Sequence, residues 1–247
     1  MKAEWHDRFF RGLYLRVLAA QFSRSTSLAE ARLIKRFLRV KRGRKVLDIP
    51  CGMGRITVPL ARMGLKMTGM DRQEAYIRRA RRNAARVRVR PEFIVKDMRD
   101  LDRKGEFDAA FNWFGSFGYF RDRENLEFCR KVFRTLKPGG RFLVEGPNRV
   151  QILAHFRPFR EYRYAGIRIT ERVRWDRRGG RVASQWLFQR GRKQERHSLS
   201  MWIFGGRQIN ALLRKAGFRD IRLYDRNTGR GYTRNSRRIA AVGMKPR

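Results

Sequence analysis

The feature that most constrains this chain is a short apolar segment that runs into a glycine-rich turn. Residues 46–49 indicate a buried strand, residues 50–54 form the turn with Gly52 and Gly54, and residues 55–62 have helical character. Glycine lacks a Cβ atom, so such a turn lets backbone N–H groups and the start of the next helix approach a ligand closely. The segment therefore predicts a site for a nucleotide-like ligand.

The spacing of the acid and the glycines narrows the class of ligand. A dinucleotide-binding turn has the pattern G-x-G-x-x-G, but Thr57 stands where the third glycine would be, which disfavours a pyrophosphate site. Asp48 precedes the two glycines and gives the pattern D-x-x-x-G-x-G. A carboxylate in this position accepts hydrogen bonds from a cationic ligand group, whereas a phosphate binder would avoid it.

The same segment resembles the first motif of the class I S-adenosylmethionine-dependent methyltransferases, and three later segments resemble further motifs in the same order. Residues 65–71 are similar to their second strand, whose terminal acid, here Asp71, holds the ribose hydroxyls. Residues 96–98 are similar to the turn whose aspartate, here Asp97, reads the adenine amino group. Residues 136–140 are similar to the turn before the fifth strand.

The resemblance extends from about residue 28 to the C-terminus. It implies S-adenosyl-L-methionine as the cofactor and S-adenosyl-L-homocysteine as the product. A nucleotide fold that has lost its ligand is the alternative.

The alternation of predicted strands and helices indicates an α/β fold of the Rossmann-like type. Strands followed by helices imply a parallel, doubly wound sheet, and the last two strands, at 218–224 and 238–244, are similar to the antiparallel pair that marks the methyltransferase fold. We predict seven strands, mostly parallel, with the last one antiparallel. The helices are predicted at 5–20, 28–38 after a cap at 25–27, 56–63, 73–85, 124–136 and 208–216.

The region after the fifth strand has a different pattern. Residues 166–175, 181–189 and 195–204 alternate as β-strands do, with turn glycines at Gly179, Gly180 and Gly191. We expect a small antiparallel β lobe at 150–205, inserted as a lid or wall of the acceptor pocket. The remaining organisation is a single domain, 1–247, with an N-terminal helical cap at 1–40.

Length and composition limit the size of the core and the kinds of site that we expect. A chain of 247 residues that is 42% hydrophobic can bury one substantial core. No apolar run reaches the roughly 18 residues that span a bilayer, and the N-terminus has no signal-peptide pattern. We expect a soluble, cytoplasmic monomer or dimer without membrane contact. The two cysteines and three histidines match neither a disulfide framework nor a zinc site, so no metal is expected.

The net charge of +39 leaves two interpretations open. It results from 61 Lys and Arg residues against 22 Asp and Glu residues. Such a basic protein attracts polyanions, which supports a nucleic-acid partner. The basic residues are spread over every segment, which equally fits general solubility, composition bias or deliberate supercharging. We expect the helix face with Arg79, Arg82 and Arg86 to lie outside the sheet, away from the ligand.

The fourth predicted strand, 107–112, should end at the crevice where ligands bind in doubly wound sheets. The aromatic and glycine-rich residues 113–120 that follow suit an apolar wall beside a sulfonium, because aromatic faces attract cations. This segment lacks the N-P-P-aromatic motif of adenine and glutamine methylases. The Pro50-Cys51 pair lies in the cofactor turn, where it is poorly placed to act as the nucleophile of a cytosine C5 methylase.

The resemblance and the predicted positions give a set of candidate residues. The cofactor-binding candidates are Tyr14, Asp48, Cys51, Gly52, Gly54, Arg55, Asp71, Arg72, Asp97, Met98, Asn112 and Trp113. The substrate-binding candidates are Ser116, Phe117, Tyr119, Asn148 and Tyr232. Candidates for a catalytic base are Tyr119, Glu145 and His155.

Three functions remain open at this point. The first is methyl transfer to a nitrogen or oxygen of a small-molecule acceptor, by in-line displacement, where holding the two reactants in place supplies most of the catalysis. The second is an RNA methyltransferase that uses the basic surface. The third is a cofactor-binding scaffold without turnover.

Overall fold

A computed structural model describes residues 5–176 and 180–247. Gly179, one of the predicted turn glycines, lies outside these described residues. The strands are β1 (Lys45–Asp48), β2 (Lys66–Asp71), β3 (Glu92–Val95), β4 (Phe107–Asn112), β5 (Leu136–Pro147), β6 (Phe159–Tyr164), β7 (Ile167–Asp176), β8 (Arg181–Arg190), β9 (Lys193–Trp202), β10 (Arg219–Asp225) and β11 (Arg238–Met244). The helices are α1 (Trp5–Phe9), α2 (Gly12–Gln21), α3 (Arg24–Leu38), α4 (Thr57–Arg62), α5 (Glu74–Ala85), α6 (Asp122–Thr135), α7 (Arg149–Ala154) and α8 (Gly206–Lys215).

The central sheet has seven strands in the order β10-β11-β5-β4-β1-β2-β3. Its strands run parallel except β11, which pairs antiparallel with both β5 and β10. The predicted fold class is confirmed. The strand order reverses between β1 and β4, so ligands are expected at the carboxyl ends of these two strands.

A separate antiparallel sheet, β6-β7-β8-β9, follows β5. The predicted lobe of three strands is thus a lobe of four. All six residues of the unpredicted strand β6 are exposed. A strand that buries neither face needs no alternation of apolar and polar residues, so the hydrophobic pattern did not predict β6.

The N-terminal helix predicted at 5–20 is wrong in one respect, because the structure breaks it into α1 and α2. The break lies at residues 10–11, directly before Gly12, whose φ of +57° is in the left-handed region. An added Cβ there would lie 2.1 Å from the Glu195 Oε2 atom, at the movable end of that side chain, so the positive φ is the stronger reason for glycine. The next helix, α3, begins at Arg24 instead of residue 28, since Ser23 and not 25–27 caps it by accepting a hydrogen bond from the Thr26 N–H.

Helices cover both faces of the central sheet. One face packs α6 and α8 against residues such as Phe107 and Phe142, while the other packs α3 and α4 against residues such as Val46 and Leu143. This arrangement leaves the carboxyl edge of β1, β2 and β4 for a site. Within residues 5–176 and 180–247, no helix combines the length and apolar character needed to cross a membrane.

Candidate active site

A cavity of about 700 Å³ lies at the carboxyl ends of β1, β2 and β4. One wall consists of the turns that follow these strands, together with the start of α5. The opposite wall consists of α2 and the residues on either side of it. Its lining from the N-terminal region comprises Phe10, Tyr14, Leu15, Arg16, Leu18, Ala19, Phe22 and Ser27.

The glycine turn uses its two glycines for different purposes. Gly52 has φ of +55° and lines the cavity, and an added Cβ would meet no atom within 4 Å. Its missing side chain therefore leaves open space for a ligand beside the backbone. Gly54 has φ of +76°, and an added Cβ would lie 3.2 Å from the Ala80 Cβ and 3.3 Å from the Val58 Cγ2. Gly54 is thus needed for the close packing of α4 and α5.

Two buried carboxylates lie on the sheet side of the cavity. Asp71 accepts hydrogen bonds from the Gly52 N–H at 2.9 Å and the Gln73 N–H at 2.9 Å, one on each oxygen. Asp48 accepts a hydrogen bond from the Thr57 hydroxyl at 2.6 Å. Burial raises the pKa of Asp71 to about 6 and that of Asp48 to about 7. Both side chains would gain from a cationic or hydroxyl-bearing ligand that restores the lost solvation.

Asp97 lies at the same edge, but arginines occupy its carboxylate. The Arg99 backbone N–H and Nε bond to Oδ1, and the Arg99 Nη2 bonds to Oδ2 at 2.9 Å. The Arg72 Nη1 is 3.3 Å from Oδ2. Although burial opposes ionisation, these contacts hold the pKa of Asp97 below its ordinary value. The neighbouring Met98 is buried and lines the cavity.

A buried acid on α3, Glu30, connects the two walls. Its Oε2 accepts hydrogen bonds from the Arg55 Nη2 at 2.7 Å and the Trp113 Nε1 at 2.8 Å, and its Oε1 pairs with Arg226. Burial raises its pKa, but the two arginines and the indole outweigh this and lower it. Arg55 also lies over the Phe22 ring at 3.9 Å. The Arg55 Nη1 atom is buried with no hydrogen-bond partner among the described residues.

Aromatic side chains line the side of the cavity nearest α1 and α2. The Tyr119 ring lies 5.0 Å from Trp5 and 6.0 Å from Phe10, centroid to centroid. Tyr14 packs against Phe10 at 5.6 Å. Burial raises the pKa of Tyr119 to about 12 and also raises the pKa of Tyr14, so both phenols remain protonated at neutral pH.

The β lobe supports the cavity from behind. Leu13, Ile167, Ile169 and Phe188 form one buried cluster between α2 and the lobe. Glu195 Oε2 accepts a hydrogen bond from the Leu13 N–H at 2.6 Å. In the part of the chain that the structure describes, no lobe residue lines the cavity. The structure differs here from the expected lid: α2 forms the wall, and the lobe holds α2.

The cofactor-binding candidates mostly come together at the cavity. Those that line it are Tyr14, Asp48, Cys51, Gly52, Arg55, Asp71, Arg72, Asp97, Met98 and Trp113. Gly54 lies beside it. Asn112 is fully buried and donates from Nδ2 to the Ile49 carbonyl at 2.9 Å, behind the cavity wall. Burial raises the pKa of the Cys51 thiol well above its usual value, so it remains a thiol.

The substrate-binding candidates divide into two groups. Ser116 and Tyr119 line the cavity. Phe117 belongs to the apolar core beneath it. Asn148 caps α7 by accepting from the Val150 N–H at 3.2 Å, and it also accepts from the Tyr232 hydroxyl at 3.4 Å. Asn148 and Tyr232 thus join α7 to the loop before β11, away from the cavity lining.

Two of the three base candidates lie outside the cavity lining. Glu145 is fully buried and accepts from the Phe114 N–H at 2.8 Å, and Arg238 pairs with both of its oxygens. It fixes Phe114, which has φ of +70°. His155 is exposed at the end of α7. Tyr119 lines the cavity, but its raised pKa makes it a hydrogen-bond donor rather than a base at neutral pH.

Several residues of the site were not predicted from the sequence, although the spacing of apolar residues pointed to some of them. The apolar residues of α2 are spread around the helix: Leu13 and Val17 contact the lobe cluster, while Leu15 and Leu18 line the cavity. A helix that is apolar on more than one face is buried on more than one side. Glu30 has helical spacing from Ile34 and Phe37, which placed it on the inward face of α3.

The expectation for the α5 face is wrong in part, because Arg79 lines the cavity. The helix α5 starts directly after Asp71, so its first turns remain at the ligand edge of the sheet. Tyr76 and Arg79, one turn apart, both line the cavity. Across the described ranges, 5–176 and 180–247, no group of three or more His, Cys, Asp or Glu residues could hold a metal ion.

Residues 46–140 match a family model described as a methyltransferase domain. The chain is 33% identical over 115 residues to an S-adenosyl-L-methionine-dependent Diels-Alderase of Talaromyces variabilis, covering 44% of this chain and 38% of the relative. It is 33% identical over 103 residues to the putative methyltransferase YqeM of Bacillus subtilis, covering 41% of each. It is 29% identical over 109 residues to a ubiquinone biosynthesis O-methyltransferase of Xanthomonas oryzae, covering 43% of this chain and 44% of the relative. The matches thus span about two fifths of these relatives.

Solved structures show the same fold over nearly the whole chain. An S-adenosylmethionine-dependent methyltransferase from Clostridium acetobutylicum has a TM-score of 0.79 at 15% identity, covering 95% of this chain and 97% of that one. The sugar N-methyltransferase KedS8 from a Streptoalloteichus species has a TM-score of 0.69 at 19% identity, covering 96% and 94%. CalS10, an amino pentose methyltransferase from Micromonospora echinaspora with S-adenosylmethionine bound, has a TM-score of 0.66 at 19% identity, covering 96% and 98%.

The order of the four motifs, the sheet with its antiparallel last strand and the family match agree. Residues 46–140 therefore form a methyltransferase domain, and the chain has the fold of the S-adenosylmethionine-dependent methyltransferases to which it is similar.

Proposed function

We propose that this chain transfers a methyl group from S-adenosyl-L-methionine to a nitrogen or oxygen atom of a small molecule. The observation that carries the proposal is the cavity of about 700 Å³ under α2. Small-molecule sites have volumes of roughly 300–1,000 Å³, so this one suits a cofactor together with a compact acceptor. Among similar proteins, KedS8 is named as a sugar N-methyltransferase and the Xanthomonas relative as an O-methyltransferase, which supports both kinds of acceptor atom.

The residues on the sheet side fit the cofactor. We assign the ribose hydroxyls to Asp71, because each of its oxygens accepts one backbone N–H and has a second acceptor position. We assign the carboxylate of the methionine part to Arg55, whose buried Nη1 lacks a partner among the described residues. The open space beside Gly52 lets the ligand approach the backbone.

The chemistry requires little of the chain beyond positioning. When bound, the cofactor supplies a methyl group activated by its positive sulfur. The chain excludes water with α2 and orients the acceptor, and such orientation accounts for a large part of catalysis in transfer reactions. We assign Tyr119 and Tyr14 as hydrogen-bond donors to the acceptor, since their raised pKa values keep both phenols protonated.

Transfer of a labelled methyl group tests the proposal. The purified chain is incubated with methyl-labelled cofactor, in parallel with a low-molecular-weight metabolite extract, an RNA pool and buffer alone. We expect label in the metabolite fraction, and we expect the variant Asp71→Asn to lose most of it. Label in the RNA and not in the metabolites would instead support the RNA methyltransferase. Cofactor binding with no label in either pool would support the scaffold without turnover.

A further inference from the structure

A second concavity, here called the basic groove, lies between α3, α4 and α5 beside the cavity. Its volume is about 1600 Å³. No acidic side chain is found among the described residues that line it. Its cationic lining residues are Arg24, Arg32, Lys35, Arg36, Arg55, Arg62, Arg86 and Arg88.

The cations of the basic groove are largely free of counter-charges. Among the described residues that line it, Arg55 alone makes an ion pair, with Glu30. Elsewhere on the surface acids neutralise arginines: Arg78 pairs with Glu74 at 2.6 Å and Arg134 with Glu127 at 2.7 Å. A concave surface with charges of one sign focuses the potential and attracts the opposite charge more strongly than a flat surface does.

The basic groove also has an apolar floor. Val40, Val58, Pro59, Met63 and Val87 line it between the arginines. Single-stranded nucleic acids bind in positively charged grooves that follow their backbone, and the apolar side chains between these arginines can contact base faces. The planar surface of a lipid bilayer cannot enter a concavity. An acidic peptide would use the rim and leave the floor uncovered.

We propose that the basic groove binds a single-stranded nucleic acid. Seven of its eight cations are arginines, which hold phosphate oxygens with two parallel hydrogen bonds where a lysine offers a point charge. The groove and the cavity share four lining residues, which are Phe22, Ser27, Arg55 and Asn83. A strand bound there would lie against the same Arg55 that we assign to the cofactor. The binding goes beyond the proposed function, since it does not require the nucleic acid to be the methyl acceptor.

The test compares two variants with equal loss of charge. The groove variant carries Arg24→Gln, Arg32→Gln, Arg62→Gln and Arg86→Gln. The lobe variant carries Arg163→Gln, Arg172→Gln, Arg174→Gln and Arg192→Gln. All eight arginines are exposed in the structure. Fluorescence anisotropy measures the affinity for labelled single-stranded RNA and DNA of mixed sequence, long enough to fill several phosphate sites, over a series of salt concentrations.

We expect the groove variant to bind at least roughly tenfold more weakly than the unmodified chain near physiological salt. Its plot of log affinity against log salt should be shallower by about 2–3 units, since each phosphate contact on a single strand contributes about 0.7. The lobe variant should keep its affinity within about twofold, because its exposed charges do not line the groove and act only through screened interactions. The RNA and DNA arms show which nucleic acid is preferred.

Equal weakening in the two variants would overturn the proposal, because general attraction by the +39 charge would then explain the binding. No weakening in the groove variant would overturn it as well. So would tighter binding of a polyglutamate peptide or of phosphatidylserine vesicles than of either oligonucleotide. If the fourfold groove variant melts early, the pair Arg62→Gln and Arg86→Gln replaces it, with Arg172→Gln and Arg174→Gln as its control. Titration with S-adenosyl-L-methionine, done separately, distinguishes failure of this inference from failure of the proposed function.

Discussion

The two walls of the cavity are held in place by different means. On the sheet side, carboxylates bind the backbone of nearby turns: Asp71 holds Gly52 and Gln73, which are 19 and 2 residues away. On the other side, α2 is held by a lobe far along the chain, and the Leu13 N–H donates to Glu195 across 182 residues. The first wall is local in sequence, and the second depends on long-range packing.

Because the two walls are held by different contacts, we expect each wall to serve a different ligand. We assign the cofactor to the sheet wall and the acceptor to the space under α2. Because the walls have separate supports, variants on one side should affect one ligand and spare the other. Glu30 is the exception, since it joins α3 to Arg55 and Trp113 and so connects both walls.

The largest effect is expected for Glu30→Gln, which removes the charge between Arg55 and Arg226. Loss of one partner from a buried ion pair costs about 3 kcal/mol or more. For a chain of this size, the melting temperature should fall by roughly 6–12 °C, as measured by circular dichroism. Glu127→Gln is the control, because Glu127 pairs with Arg134 on the surface and such pairs contribute little. A similar fall in both variants would show that Glu30 has no special role.

Asp71→Asn should weaken cofactor binding about ten- to a hundredfold. A hydrogen bond to a charged group contributes about 1.5–3 kcal/mol, and the amide can accept on one oxygen only. Calorimetric titration measures the change. The control is Asp108→Asn, because Asp108 also holds a backbone N–H, that of Lys45, but at the amino end of the sheet. Equal weakening in the two variants would count against the assignment of Asp71.

Glu195→Ala should affect the acceptor and spare the cofactor. The change removes the hydrogen bond to the Leu13 N–H, so α2 is less firmly held. We expect the KM for the acceptor to rise roughly tenfold and the cofactor affinity to remain within about twofold, since a hydrogen bond to a charged group contributes about 1.5–3 kcal/mol. Glu161→Ala, which breaks an ion pair with Arg168 in the same lobe, is the control. A larger change in cofactor affinity than in KM would contradict the separation of the walls.

A further prediction for the sheet wall concerns the pH dependence of stability. Burial raises the pKa of Asp48 to about 7 in the folded state. Between the ordinary pKa of an aspartate and this value, the folded chain binds more protons than the unfolded chain, so stability is lost as the pH rises. Asp48→Asn removes this loss. We expect the variant to melt higher than the unmodified chain at pH 8, with a smaller difference at pH 5; a constant difference would show that Asp48 is not protonated near neutrality.

The elements that the sequence predicted correctly are determined by residues that lie close together in the chain. The strand β11 was predicted at 238–244 and has these bounds, because its apolar residues are contiguous. Ten of the twelve cofactor candidates line the cavity. Nine of them lie at or just after the ends of strands of one parallel sheet, and Tyr14 lies on α2. Side chains at the carboxyl ends of such strands must meet at one edge.

The parts that it did not predict have distant causes. Gly12 at the start of α2 lies beside the Glu195 carboxylate, and Glu30 pairs with both Arg55 and Arg226, and these partners belong to separate segments. The position of α2 as a wall depends on the lobe cluster of Ile167, Ile169 and Phe188. No window of neighbouring residues contains both partners of these contacts, so periodicity and motif spacing could not show them.

Calorimetric titration of the unmodified chain with S-adenosyl-L-methionine shows whether the cavity binds the cofactor. We expect saturable binding at one site per chain, binding of S-adenosyl-L-homocysteine at the same site, and marked weakening of both by Asp71→Asn but not by Asp108→Asn. Absence of binding for both compounds would contradict the claim that the cavity at the ends of β1, β2 and β4 is a cofactor site.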